Sequence, residues 1–349
     1  MEPSRDDILK ALEQVIDPEL QKPVTELDMV REIRIDGRQV AITIALTIAG
    51  CPLRHSFQEQ VQEHLAGVPG IELVELYFDV MTADERAALT QKLRGGVNER
   101  TKGISLDRDT RVLAIASGKG GVGKSSLTVS LATSLSALGR RVGILDADVY
   151  GHSIPSMLGI HQKPVLVDKM MIPPVKDGLK LMSIGFFLDD NAPVMWRGPM
   201  LHRALEQFLS DVHWGELDVL LVDMPPGTGD VAISLGQLLP RAEAIVVTTP
   251  DRTAQEVAVR AALMAQKTNM RLLGVVENMS YLVGTGAQLF GVGGGEELAA
   301  TIGVPLLARI PFDPGLRDGD PDEETALALR MLAEALDVSR PLKQLPVLA

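Results

Sequence analysis

The chain has 349 residues, 46% hydrophobic and 23% charged, the composition of a folded globular protein that, at roughly 150 residues per domain, holds two domains. Lys and Arg number 34 against 46 Asp and Glu, a net charge of −12, which argues against nucleic acid and anionic membrane as partners in a sequence with no basic run. No apolar run nears the roughly 18 residues of a membrane span, no signal-peptide pattern opens the chain, and a single cysteine, Cys51, excludes an intrachain disulfide and a four-cysteine zinc cage; a cytoplasmic protein is expected.

In chain order, residues 4–16 carry Ile8, Leu9, Leu12, Val15 and Ile16 at helical spacing. Residues 31–35 and 39–48 flank the turn pair Asp36-Gly37 and read as a hairpin. In its second strand Val40, Ile42, Ile44, Leu46 and Ile48 share one face. A helix over 53–65 and a strand over 72–78 complete a small α+β domain, residues 1–81. Residues 82–110, charged and interrupted by glycines, read as a short helix followed by a flexible linker. From 111 to 349 apolar strands at 112–116, 142–145, 219–222, 244–248, 272–276 and 306–310 alternate with amphipathic helices. That train predicts an α/β fold with a doubly wound, mostly parallel sheet. The acidic stretch 313–324 reads as a loop before a last helix over 325–336. Leu329, Leu332 and Leu336 give this helix one apolar face. It lacks the basic polar face of a membrane-surface anchor, so it is expected to pack on the core.

Ser117-Gly118-Lys119-Gly120-Gly121-Val122-Gly123-Lys124-Ser125-Ser126 lies between a strand and a helix. Gly118 to Ser125 satisfies G-x-x-x-x-G-K-[ST], the phosphate loop of NTPases. Its glycines let backbone N–H groups turn toward phosphate oxygens at a helix N-terminus. Lys124 supplies charge to the β- and γ-phosphates, and the Ser125 hydroxyl belongs to a Mg²⁺ shell. Asp223 ends an apolar strand, where a second Mg²⁺-shell carboxylate belongs. Asp146 and Asp148 end the strand after the loop's helix; one can support Mg²⁺ while the other orients the attacking water.

Lys119 to Ser125 resembles the deviant Walker A loop of the MinD/ParA class, with Lys119 as a second, signature lysine. Asp146-Ala147-Asp148-Val149-Tyr150-Gly151-His152-Ser153, Met195-Trp196-Arg197-Gly198-Pro199, Asp223-Met224-Pro225-Pro226-Gly227-Thr228-Gly229-Asp230, Glu277-Asn278-Met279-Ser280, Gly293-Gly294-Gly295-Glu296 and Ile310-Pro311-Phe312-Asp313-Pro314 narrow the resemblance. Together they look like the Mrp/ApbC branch, P-loop ATPases that carry iron–sulfur clusters. The resemblance implies an ATP hydrolase working as a homodimer with Mg²⁺. Lys119 would reach the phosphates of the partner subunit. Asp148 would position the hydrolytic water and Asp146 would support Mg²⁺. Gly227 would lie in a switch segment, and Asn278 and Pro311 would frame the adenine. For Asn278 a structural turn role stays open.

Asp17-Pro18-Glu19-Leu20, Glu26-Leu27-Asp28-Met29-Val30 and Thr47-Ile48-Ala49-Gly50-Cys51-Pro52-Leu53 resemble a small domain linked to metal–sulfur cluster assembly, often fused before Mrp-type ATPases. Cys51 precedes a helix N-terminus, which favours its thiolate; the alternative is a small buried hydrophobe. Relatives typically carry a Cys-x-x-Cys within the stretch that corresponds to residues 279–290, where two subunits bind one bridging cluster. This chain has none there, and a cluster takes about four ligands. The implied function is a carrier that binds a transient iron–sulfur cluster, with Cys51 as the candidate ligand, and passes it to client apoproteins. An ATP-dependent scaffold that works with cluster-assembly proteins and holds no cluster is the alternative, and a positioning ATPase a more distant one. The six histidines show no metal-ligand spacing. Met170, Met171 and Met195 read as packing residues, and Arg197 reads equally as an interface residue or a surface one.

Overall fold

The computed structural model describes residues 3–48, 53–94, 105–107, 109–149, 151–188, 198–227 and 229–338, without the side chains of Asp318 and Val338. Cys51, Tyr150, Met195, Trp196, Arg197 and Thr228 lie outside the described residues. The chain divides into two compact units. The first comprises Met1–Gly103, Pro164–Val175 and Asp211–Gly215, and the second the remainder.

The first unit opens with helix α1 (Arg5–Leu12), capped by the Ser4 side chain on the Asp7 N–H. The expected helix over 4–16 stops early. Ile16 belongs to the two-residue strand β1 (Ile16–Asp17), paired with β2 (Lys22–Pro23). Pro18 keeps Asp17 in this strand, because the residue before a proline is pushed to extended backbone. The hairpin appears as β3 (Val30–Asp36) and β4 (Gln39–Leu46), antiparallel. Helix α2 (Arg54–Leu65) crosses to β5 (Leu73–Val80), parallel to β4. Helix α3 (Ala83–Leu93) begins with a reciprocal capping box between Thr82 and Glu85. The period-two residues of β4 and the period-four residues of α2 meet in one core. Val40, Ile42, Ile44, Leu46, Phe57, Val61 and Leu65 are all at most 1% exposed, each burial contributing about 1.5–3 kcal/mol.

The second unit carries β6 (Arg111–Ser117), α4 (Lys124–Ala137), β7 (Val142–Asp146) and the short α5 (Ile154–Met157). After the hairpin β8 (Val165–Val167) and β9 (Met170–Ile172) come β10 (Val175–Lys176), β11 (Leu179–Ser183) and a 3-10 turn, Ile184–Phe187. Then follow α6 (Gly198–Ser210), β12 (Val219–Asp223), α7 (Asp230–Leu238), β13 (Glu243–Thr248), α8 (Arg252–Lys267), β14 (Arg271–Leu282), α9 (Gly294–Ile302), β15 (Leu306–Phe312) and α10 (Glu323–Val338). Eight strands form one sheet in the order β10-β11-β7-β12-β6-β13-β14-β15, and from β11 to β15 every neighbouring pair is parallel. β7, β12 and β13 are buried along their whole length, as strands covered on both faces must be. The expected α/β sheet is therefore present, and Leu329, Leu332 and Leu336 of α10 are buried, 3% exposed or less.

Residues 165–183 were not expected to form strands. The hairpin β8–β9 turns Val167, Met170 and Ile172 into the core of the first unit, and Thr90 of α3 donates to the Val167 carbonyl at 3.2 Å. Boundaries at 81 and 110 therefore do not coincide with the compact units: α3 and two segments from beyond residue 111 belong with the first. The cause is non-local burial of an apolar hairpin face, which a change of composition along the chain does not mark.

Candidate functional site

The site forms at the carboxyl ends of β6, β7 and β12, where open parallel sheets bind ligands. The phosphate loop leaves β6 and enters α4 at Gly123, which has φ +79°. A Cβ there would lie 2.2 Å from Asn278 Nδ2. At Gly118 a Cβ would fall 2.3 Å from the backbone nitrogen of Ala258 in α8. Only hydrogen fits at either place. A cavity of about 630 Å³ opens on the loop, lined by Lys119–Ser126 together with Asp148, Val149, Pro225, Pro226 and Asp230 among others.

At its floor the Lys124 ammonium, 6% exposed, contacts Asp223 Oδ1 at 2.8 Å and lies 3.8 Å from Asp148 Oδ2. The Asp223 carboxylate is fully buried; it also accepts from Ser125 Oγ at 2.6 Å and Thr128 Oγ1 at 3.1 Å. Sheet register sets Asp146 beside Asp223 on the adjacent strand. Asp146 Oδ2 accepts from Ser183 Oγ at 3.0 Å and Oδ1 from the Asp148 N–H at 3.3 Å. Burial, then the neighbouring Asp223 charge, pushes Asp146 up to about 7. Burial also raises Asp223, against the pull of Lys124. The Asp148 carboxylate accepts the Gly151 N–H at 3.0 Å. Lys124, Ser125, Asp146, Asp148 and Asp223, from three segments far apart in sequence, are thus brought together.

The other expected site residues are placed as follows. Lys119 lines the cavity, with Nζ 3.2 Å from Thr253 Oγ1 and 3.7 Å from Asp251 Oδ1 at the start of α8. The Gly227 N–H donates to the Ser117 carbonyl at 2.8 Å, tying the segment after β12 to the loop. Asn278 is buried and donates Nδ2–H to the Val122 carbonyl at 2.9 Å. That bond braces the phosphate loop. Neither Asn278 nor the buried Pro311 at the end of β15 lines the cavity. The stretch 279–290 finishes β14 and enters a tight turn closed by Leu282 N–H to the Ala287 carbonyl at 2.8 Å, leaving Leu289, Phe290 and Val292 exposed.

Thr128 and Ser183 were not anticipated. Thr128 follows Lys124 by one helical turn on an otherwise apolar buried face of α4, a legible signal. Ser183 closes the run Leu179-Lys180-Leu181-Met182 after the turn pair Asp177-Gly178, a weaker one.

The donors Ser125, Asp146 and Asp223 are all hard oxygens, which suits Mg²⁺, an ion held by one or two carboxylates and substrate phosphates together. Among the described residues no three His, Cys, Asp or Glu cluster as a metal cage, and no helix is long and apolar enough to cross a membrane.

Two family models match the chain: the NUBPL iron-transfer P-loop NTPase over residues 109–340 and the iron–sulfur cluster assembly protein over residues 5–76. A protein of Mycobacterium leprae named iron–sulfur cluster carrier protein is 52% identical, with 88% of this chain and 83% of the relative covered. One of the same name from Deinococcus radiodurans is 41% identical, covering 98% and 99%. Among solved structures, a nucleotide-binding protein from Archaeoglobus fulgidus in complex with ADP is 36% identical with a TM-score of 0.52, covering 64% of this chain and 87% of that one. The Pyrococcus furiosus cell division ATPase MinD, 24% identical with a TM-score of 0.50 over 65% and 98%, shares the fold.

Proposed function

Since the chain belongs to the NUBPL-type iron-transfer P-loop NTPase family, we propose that it hydrolyses ATP and carries iron–sulfur clusters to client apoproteins. The observation that carries the nucleotide half of this reading is Lys124, buried between Asp223 and Asp148 at the floor of a glycine-walled cavity. Backbone N–H groups of Gly118–Ser126 and the N-terminus of α4 receive the phosphates. Lys124 exchanges its carboxylate partners for the β- and γ-phosphates, and Asp148 orients the attacking water. Ser125 and Asp223, backed by Asp146, would hold Mg²⁺, whose charge offsets that on the phosphate oxygens. Lys119 leaves Asp251 and Thr253 to reach the nucleotide of a second copy, and Gly227 relays the nucleotide state through its bond to Ser117. Asn278 holds the phosphate loop in place through the Val122 carbonyl. The cluster is cargo, and the reading places the protein in the cytoplasm.

A second reading is favoured by one observation: the sequence contains one cysteine, Cys51, so a homodimer offers two thiolates where a cluster takes about four ligands. Under it the protein is an ATP-driven scaffold for cluster-assembly partners. Anaerobic reconstitution separates the two. A carrier binds iron and sulfide in the wild-type full-length chain and loses them in Cys51→Ala. Iron at background in both supports the scaffold. Phosphate release from ATP, abolished in Lys124→Ala, tests the hydrolase; no release by the wild type with Mg²⁺ would refute it.

A further inference from the structure

Ser183 ends β11 and is fully buried. Register pairs it with Asp146 on β7, so the sheet, not a loop, sets the distance between them. Its hydroxyl accepts the Gly185 N–H at 3.1 Å and donates to Asp146 Oδ2 at 3.0 Å. The first bond fixes the second: with a lone pair taken by Gly185, the hydroxyl proton is directed at the carboxylate. The same two segments meet again six residues past Asp146. The His152 ring rests on Gly185 so closely that a Cβ there would stand 2.4 Å from its Cδ2. Asp148 lies between these two contacts in the sequence.

We propose that Ser183 is a positioning residue of the Mg²⁺ site, orienting the Asp146 carboxylate, and that the close approach of the His152 ring to Gly185 supplies a second hold beyond Asp148. This rests on the reading of Asp146 as a support of the Mg²⁺ shell. Asp146 lies beside the buried Asp223, and Lys124 makes its close contact with Asp223. Two adjacent buried carboxylates repel each other. A hydroxyl bond to Asp146 Oδ2 keeps that carboxylate in one rotamer, ready for a cation.

The test is a Mg²⁺ titration of fluorescent-ATP binding by the full chain, beside the same binding in EDTA, for wild type, Ser183→Ala, Ser183→Thr and Asp146→Asn. Ser183→Ala is expected to bind nucleotide in EDTA like wild type and to need about tenfold more Mg²⁺ for half-saturation, the scale of one hydrogen bond to a charged group. Ser183→Thr, which keeps the hydroxyl, should stay within about twofold. A Ser183→Ala titration that overlays wild type, while Asp146→Asn is shifted, overturns the positioning role alone. If Asp146→Asn also overlays wild type, the Mg²⁺ assignment of Asp146 fails and the inference falls with it. Should Ser183→Ala fail to fold, Gly185→Ala, which displaces the His152 ring, carries the test. It too should raise the Mg²⁺ requirement with nucleotide binding in EDTA retained, and an unchanged requirement refutes the two-point hold.

Discussion

Replacing Lys124 by Ala removes a cation that is 6% exposed and sits 2.8 Å from a fully buried carboxylate. The consequence in the nucleotide-free protein is a loss of stability. Deleting one partner of a buried ion pair strands the other in a poorly solvated place, at a cost of about 3–5 kcal/mol. Ser125 and Thr128 still donate to Asp223, which places the loss near the lower end, about 3 kcal/mol. For a unit of this size that is a fall in melting temperature of roughly 6–12 °C. Because burial already raises Asp223, protonation relieves part of the cost, so the loss shrinks as pH falls. Calorimetry of wild type, Lys124→Ala, Asp223→Asn and the double variant closes a cycle. The double variant should recover most of the loss, with a coupling of about 3 kcal/mol. ATP affinity, measured alongside, should fall on the order of a hundredfold in Lys124→Ala. Strictly additive single losses, or a Lys124→Ala protein that melts within about 1 °C of wild type, would refute the claim that this ammonium offsets the buried carboxylate.

Asp148→Ala should bind ATP like wild type and lose at least about a hundredfold in turnover; equal turnover would remove Asp148 from the water-orienting role. Asn278→Ala leaves the Val122 carbonyl without its 2.9 Å partner and should weaken ADP binding by about tenfold, read by calorimetric titration, whereas unchanged affinity would deny that this bond braces the loop. Glu19, in the first unit, is pushed up to about 7 from 4.5 by burial and by Asp17. Between those values the folded state holds more protons than the unfolded one, so stability falls as pH rises. The fall is about 1.5 kcal/mol from pH 5.5 to 7. Hydrogen exchange of α2, corrected for intrinsic rates, should show that slope in wild type and a flatter one in Glu19→Gln; equal slopes would contradict the assignment.

The sequence alone determined the parts whose cause is local. The phosphate loop is legible because its chemistry needs glycines, Lys124 and Ser125 within one short segment between a strand and a helix. The parallel sheet is legible because strands buried on both faces leave continuous apolar runs. The placement of Asp146 and Asp223 at strand ends follows from the same runs. What the tertiary structure decided is non-local. Strand order sets Asp146 beside Asp223 and Ser183 against Asp146, and Lys124 meets Asp223 across 99 residues as Ser183 meets Asp146 across 37; such pairs leave no periodicity in the chain. The hairpin β8–β9 lies more than 50 residues past the start of β6, yet its apolar face is buried in the first unit. Helix α1 ends at Leu12 although apolar residues at helical spacing run on to Ile16, so spacing alone does not set where a helix stops. The fold chooses its partners by burial and register, and only residues whose work is done by their immediate neighbours can be read without it.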